Sequence, residues 1–403
     1  MKLKNKFILS IIIPTRNRNS YAIAAANQVL ENTTSEVQVV LQDNSDQIGL
    51  INYFKDSIYI DRIKYNYSPQ LLSFVDNFSK GVEIADGEYL CMIGDDDGIN
   101  PEIEQVVKWA KKNSVEAISP IVSLNYIWPG TGISYYKKDL GNLMIIDFNS
   151  KMKFYDTKNE IEKLLSSGGQ NYLSFNLVKI YHGIVTKDSM EKVKSITGKY
   201  FGGLSPDIYS AVALSLVIEK VLKINYPLTI PGVCRKSGSG HSSTGRHHGE
   251  LHTAPQLAGH VNYNWSSLVP AFYSVETLWA DTALVAFQDM KRNDLIKKFD
   301  IATLSAYCYK NYKEFKHYTD VNYKNYCDNN NIGIISRKIN LIKGYLKGPF
   351  SDLFNRVINR LKRRRSSIEK YDDVKTIKEA YLIFQEYLKK NNKNLPTLIK
   401  NQF

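Results

Sequence analysis

Apolar and polar positions along the first hundred residues alternate between two periods. Phe7–Ile13 is a continuous apolar, β-branched run broken only by Ser10, which predicts a strand buried on both faces. Ser20–Glu31 is alanine-rich and predicts a helix, Val37–Leu41 a second strand, and Ile60–Tyr65 a weaker third. Leu71–Ala85 carries apolar residues at helical spacing, and Glu88–Ile93 is a fourth strand that ends in Gly94 and three consecutive aspartates. Pro101 then opens a helix to about Lys112, in the first turn where its missing N–H costs nothing. Strand–helix alternation predicts a mostly parallel sheet with helices on both faces. Ligands of such sheets bind at the carboxyl ends of the strands, where the segments after Ile13, Leu41 and Ile93 all emerge.

Residues 115–235 are less regular. Ile180–Val185 reads as a strand, Pro206–Val217 as a helix and Leu228–Ile230 as a strand. Residues 237–249 form a Gly/Ser/His loop too poor in apolar groups to pack by itself. From about 262 onward the pattern is helical throughout, and Leu353, Phe354, Val357, Ile358 and Leu361 share one face among Arg356, Arg360 and Lys362–Arg365. No internal repeat is visible.

With 403 residues, 43% hydrophobic and 23% charged, the chain can form at least one full core. Its net charge of +13 is unevenly placed: residues 1–289 hold 28 basic against 29 acidic side chains, and residues 290–403 hold 25 against 11. The basicity therefore belongs to the last quarter. Cys91, Cys234, Cys308 and Cys327 are too few and too scattered for a disulfide framework or a zinc knuckle, which fits a reducing compartment. The apolar run near the N-terminus is too short for a signal peptide, and no stretch reaches the ~18–20 apolar residues of a membrane span. A cytoplasmic protein is expected, with attachment to the inner membrane surface as an extension of that reading.

Asp95-Asp96-Asp97 at a strand end cannot all pack inward, and their repulsion is costly without a cation. Mg²⁺ or Mn²⁺ prefers one or two carboxylates together with phosphate oxygens and water, so the cluster suits metal-bridged diphosphate binding. The alternative is a solvated acidic turn before the Pro101 helix.

Ser10-Ile-Ile-Ile-Pro14-Thr15-Arg16-Asn17-Arg18, Leu41-Gln-Asp43-Asn44-Ser45, and Ala85-Asp-Gly87-Glu88-Tyr89-Leu90 leading into Asp95–Asp97 resemble glycosyltransferase family 2. The resemblance is strong over residues 7–112 and weaker over 113–235. It implies a GT-A fold, Rossmann-like, and an inverting transfer from a nucleotide sugar. Pro14, Thr15 and Arg16 would line the nucleotide pocket, and Asp43 would accept a hydrogen bond from the base, usually uracil. Many members carry a second acidic residue where this chain has Gln42. Asp95 would contact the ribose or base side and Asp96 would be a further donor-binding residue, with Asp97 and Asp95 as metal ligands. The resemblance places a base aspartate about a hundred residues downstream at a helix start, which here is Asp207. The alternative for Asp207 is a helix N-terminal acid stabilised by the dipole, and for Asp43-Asn44-Ser45 an ordinary strand-ending turn.

The loop of His241, Arg246, His247 and His248 follows the last strand expected of the catalytic domain. His241 is the candidate to complete a metal shell, and Arg235, Lys236 or Arg246 to hold the diphosphate. Gly/Ser enrichment suits a lid, although a solvated loop has the same composition. His182, in the apolar run Ile180–Ile184, reads as a satisfied core histidine, and Trp128, Trp265 and Trp279 read as packing residues.

The expected organisation is a GT-A domain at 1–235, a lid and connector at 236–289, and a basic helical appendage at 290–403. The expected partners are a nucleoside diphosphate sugar (UDP-linked), a glycan acceptor carried on a lipid, an anionic membrane under the basic helices, and a second copy of the chain; nucleic acid is not among them. The product would be a surface glycan such as a capsule or O-antigen. Two other readings remain: a sugar-nucleotide nucleotidyltransferase, which would carry a Gly-rich loop after the first strand, and a non-catalytic scaffold built on a degenerate transferase domain.

Overall fold

The computed structural model describes residues 7–132, 140–235, 248–260, 262–354, 367–393 and 395. In chain order the strands are β1 (Phe7–Thr15), β2 (Val37–Asp43), β3 (Ile63–Tyr67), β4 (Gly87–Met92), β5 (Gly98–Ile99), β6 (Ala117–Pro120), β7 (Leu124–Ile127), β8 (Asn142–Ile146), β9 (Met152–Asp156), β10 (Ile184–Thr186), β11 (Lys220–Ile224), β12 (Thr229–Ile230), β13 (Gly232–Val233), β14 (His248–Glu250), β15 (Phe272–Ser274) and β16 (Ile368–Asp372). The helices are α1 (Asn19–Asn32), α2 (Leu50–Phe54), α3 (Phe74–Ile84), α4 (Ile103–Lys112), α5 (Thr157–Ser166), α6 (Lys187–Thr197), α7 (Pro206–Val217), α8 (Val275–Asp289), α9 (Asn293–Ile296), α10 (Ile301–Asn311), α11 (Lys316–Asn329), α12 (Ile334–Tyr345) and α13 (Ile377–Lys390).

The main sheet runs β3-β2-β1-β4-β10-β6-β11-β9. β3, β2, β1 and β4 are parallel, β10 runs against both β4 and β6, and β9 runs against β11. Every residue of β1 and β2 is buried, as their unbroken apolar runs predict. Side-chain alternation along β1 serves two cores. Leu9, Ile11 and Ile13 meet the small residues Ala22, Ala25 and Ala26 of α1, while Ile12 points to the opposite face with Val40, Val82 and Leu90. That second face is covered by α3 and α6, with α7 packed against both and α8 against α7 in the same apolar cluster, so α7 and α8 are apolar nearly all round.

The stretch expected as a strand over Ile180–Val185 is shorter than its apolar pattern. Tyr181 makes a single bridge to Met92, His182 adopts φ 55°, and β10 starts only at Ile184. The expectation of helix alone beyond 262 is also overturned. β15 pairs with β14, and β16 joins the second sheet, β13-β7-β8-β16. β16 reads Ile-Glu-Lys-Tyr-Asp, and its residues alternate between exposed and half-buried at the edge of that sheet. Its charges hid it from a search for apolar runs.

The basic C-terminal quarter contains the expected helices, yet its end does not stand apart from the N-terminal core. Val374, Ile377, Ala380, Phe384 and Leu388 lie in the same cluster as β1 and α1, and Lys378 pairs with Glu31 on α1 at 2.8 Å. Net charge marks solvated faces and is blind to the buried stripe of α13, so the charge step near 290 does not coincide with a division in the packing. Phe384 is fully buried, with Phe148 at 6.3 Å and Tyr387 at 6.4 Å between ring centroids. Phe384→Ala is expected to destabilise the first hundred residues as well as the C-terminus, by about 3–5 kcal/mol. Urea denaturation followed by hydrogen exchange checks this: if protection is lost in α13 alone while β1 and β2 stay protected, the shared core is refuted.

Candidate active site

The ends of β1, β2 and β4 lie side by side, so the chain leaves all three at one edge of the sheet. At the end of β1 the Thr15 hydroxyl donates to Asp95 Oδ2 at 2.6 Å, and the Arg18 guanidinium lies 2.6 Å from Asp95 Oδ1 and 3.8 Å from Asp96. Arg18 also donates to Cys234 Sγ at 3.3 Å. All three aspartates are buried. The reading of Asp95–Asp97 as a solvated acidic turn is therefore excluded by burial.

Asp97 is held by backbone. The N–H of Gly94 donates to its Oδ2 and the N–H of Gly232 to its Oδ1, each at 2.6 Å, and the Tyr181 hydroxyl donates to Oδ2 at 3.3 Å. The Cys234 N–H donates to Asp96 Oδ2 at 3.0 Å, and Trp128 Nε1 donates to the Asp96 carbonyl at 2.7 Å. β13 approaches so closely that a Cβ on Gly232 would sit 1.8 Å from the Asp96 carbonyl oxygen, which requires glycine there.

Burial pushes Asp97 up to about 6, against the lowering effect of the Gly232 and Gly94 N–H groups and Tyr181. Asp95 and Asp96 are raised too, first by burial and then by a neighbouring carboxylate, Asp96 acting on Asp95 and Asp97 on Asp96, with Arg18 opposing. Burial alone would lower Arg18, but Asp95 and Asp96 outweigh it and hold the guanidinium charged. Three buried carboxylates thus share one guanidinium. Asp95 Oδ1 has no hydrogen bond and meets only that ion pair.

Among the described residues no three His, Cys, Asp or Glu side chains converge as a metal cage. A divalent cation bound with a nucleotide does not need one, because phosphate and water supply most of its ligands. Hard carboxylate oxygens in excess over the local positive charge fit such an ion.

Of the other expected residues, Pro14 and Thr15 lie in the last two positions of β1 and are buried, whereas Arg16 is exposed and pairs with Asp46 at 3.3 Å on the rim. Asp43 is fully buried at the end of β2. Its Oδ1 accepts from Ser45 N–H at 2.9 Å and its Oδ2 from the Tyr65 hydroxyl at 3.0 Å. Arg235 and Arg18 line a cleft of about 860 Å³ that also takes in Asn17, Tyr21, Ser45 and Pro129. His241 and Arg246, with Lys236 and His247, lie outside the described residues.

Asp207 is in the first turn of α7, after Pro206. Its carboxylate has no hydrogen bond among the described residues, and burial, then the charge of Asp97, push it up to about 6. The charges of Asp97 and Asp207 both help burial raise Tyr181, so both carboxylates lie within electrostatic range of its hydroxyl.

Sequence reasoning missed Arg18, Tyr181, His182, Trp128 and Cys234. His182 is buried but it is not a bystander of the core. Its Nε2 lies 3.4 Å from Asp97 Oδ2 and its Nδ1 3.0 Å from Thr229 Oγ1. Burial drops its pKa to about 4, so the ring beside Asp97 is neutral. The signal available was the His-Gly pair interrupting an apolar run, where a backbone turn was a better reading than continued strand.

Residues 10–170, about two-fifths of the chain, match the family described as Glycosyl transferase family 2. The fold around it is mixed α/β, a large central sheet flanked by helices, with further helices towards the C-terminus. Among solved structures, the chain is similar to S. aureus TarS 1-349 in complex with UDP-GlcNAc, at 14% identity and a TM-score of 0.41, over 58% of this chain and 60% of that one. The UDP complex of the same TarS fragment gives 15% identity and a TM-score of 0.41 over 56% and 60%. The chain thus spans less than two thirds of these structures. No curated protein sequence matches the chain.

Removing Arg18 leaves Asp95 and Asp96 buried without their cation. Arg18→Ala is expected to cost about 3–5 kcal/mol at pH 7. Carboxylates raised in the folded state favour folding below their unfolded pKa and lose that benefit as pH rises through the folded value. The deficit should therefore shrink as pH falls below about 6, where Asp97 and its neighbours take up protons. Denaturant titrations at pH 5 and pH 7 test this, and an equal loss at both would show that Arg18 acts by packing alone.

Proposed function

We propose that the chain is a metal-dependent, inverting glycosyltransferase that takes a sugar from a nucleoside diphosphate donor, UDP-linked, and passes it to a glycan hydroxyl in the synthesis of a surface polymer. The observation carrying this reading is the buried, cation-deficient aspartate cluster at the strand ends, together with Asp207 at the start of α7, whose carboxylate has no hydrogen bond among the described residues and is raised to about 6 by burial and then by the charge of Asp97. The cleft lined by Arg18 and Arg235 supports a dianionic leaving group beside the cluster. Asp43 and the turn at Asn44-Ser45 support the base end, with Tyr65 and the Ser45 N–H fixing the carboxylate.

In this reading Asp97 and Asp95 would hold Mn²⁺ or Mg²⁺, whose charge would offset that of the diphosphate. The chain's own groups do the rest. Thr15 and Arg18 orient Asp95, and the N–H groups of Gly94 and Gly232 orient Asp97. Asp207 takes the proton from the acceptor hydroxyl as the oxygen attacks the anomeric carbon from the face opposite the leaving group. A carboxylate held near 6 is a stronger base than an ordinary one and is still ionised at neutral pH.

Two variants separate binding from chemistry. Asp97→Ala is expected to abolish metal-dependent UDP binding in calorimetry. Asp207→Asn is expected to keep donor binding while turnover falls about 10²–10⁴-fold. A base must be unprotonated to act, so kcat should rise with pH through about 6 and then level. Absence of metal-dependent nucleotide binding across uridine, guanosine, adenosine and cytidine diphosphates, or full turnover in Asp207→Asn, overturns the reading.

A further inference from the structure

Helix α12 packs on α10 through its glycines: a Cβ on Gly344 would sit 2.5 Å from the Ala302 carbonyl oxygen, and one on Gly348, in the turn that continues the helix, 2.7 Å from the Tyr307 ring. The opposite side is apolar and uncovered. Ile335 is 76% exposed, Ile342 and Leu346 60% each, and Ile339 46%. At 3.6 residues per turn these four fall within about 60° of arc, and Lys338 and Lys343 flank them about 70° to either side. Neither lysine pairs with a carboxylate among the described residues.

We propose that this face of α12 docks on an anionic lipid surface. An apolar stripe bounded on both sides by lysines is the arrangement that lies in a membrane interface, with the stripe in the acyl boundary and the ammonium groups at the phosphates. The charge pattern decides between lipid and a second copy of the chain. Between Ile334 and Phe354 the only acidic residue is Asp352, which is turned inward to Tyr307 and Asn171 at 2.6 and 2.9 Å. Two such faces brought together would set Lys338 and Lys343 against like charge with no carboxylate between them, whereas a bilayer of anionic headgroups offers the complement. The inference rests on this surface alone and stands whether or not the aspartate cluster binds a nucleotide sugar.

The full chain is sedimented with vesicles of phosphatidylcholine containing about one-third phosphatidylglycerol, and with pure phosphatidylcholine vesicles. Binding to the anionic vesicles alone, weakened by salt, is expected. Ile339→Glu with Ile342→Glu should abolish it, and Lys338→Glu with Lys343→Glu should weaken it roughly thirtyfold. Both pairs are exposed, so thermal unfolding and nucleotide binding should stay as in the parent chain. Equal binding to both vesicle types, no binding to either, or a stable dimer in sedimentation velocity that the isoleucine variant dissociates would each overturn the proposal.

Discussion

Three carboxylates at the end of one strand repel one another, and burial magnifies that repulsion because the surroundings screen poorly. Much of the local architecture around Asp95–Asp97 answers this constraint. Arg18 arrives from the turn after β1, Gly232 of β13 and Cys234 just after it bring backbone N–H groups, and Tyr181 comes from the bend before β10. Four chain segments, separated by up to about two hundred residues, meet on three side chains. The arrangement is compensated but not neutral, since all three carboxylates keep raised affinities for protons. The shortage of positive charge at this site is what the proposed cation-bound donor would meet.

The same constraint explains why the second sheet exists where it does. β13 must pass within bonding distance of Asp96 and Asp97, and it is anchored by pairing with β7, which in turn pairs with β8. β8 would be left as an open edge, and β16 covers it. The C-terminal residues therefore buttress the strand that holds the aspartates, while α13 fills the core beneath α1. The basic quarter of the chain thus divides in two: α12 presents charge and an apolar stripe to the outside, and α13 turns inward.

Much of the parallel half of the sheet was legible because β1, β2 and β4 are buried on both faces, and a strand of that kind is an unbroken apolar run. The helix at Pro206–Val217 matched its expected bounds because proline fixes its start and a solid apolar block fills its length. β16 and the turn at His182 were not legible. The first is an edge strand with one half-buried face, and the second takes a left-handed backbone signalled only by a His-Gly pair that the surrounding apolar run outweighed.

By itself the sequence determined which residues carry negative charge at a strand end and which aspartate opens a helix far downstream, since both follow from local composition and spacing. Only the tertiary structure decided that Arg18 neutralises that charge, that backbone from β13 holds it, and that a neutral histidine lies beside it. Those partners are distant in sequence. Their meeting depends on the order in which strands join a sheet, which hydrophobic periodicity leaves open because every buried strand looks alike from within its own run.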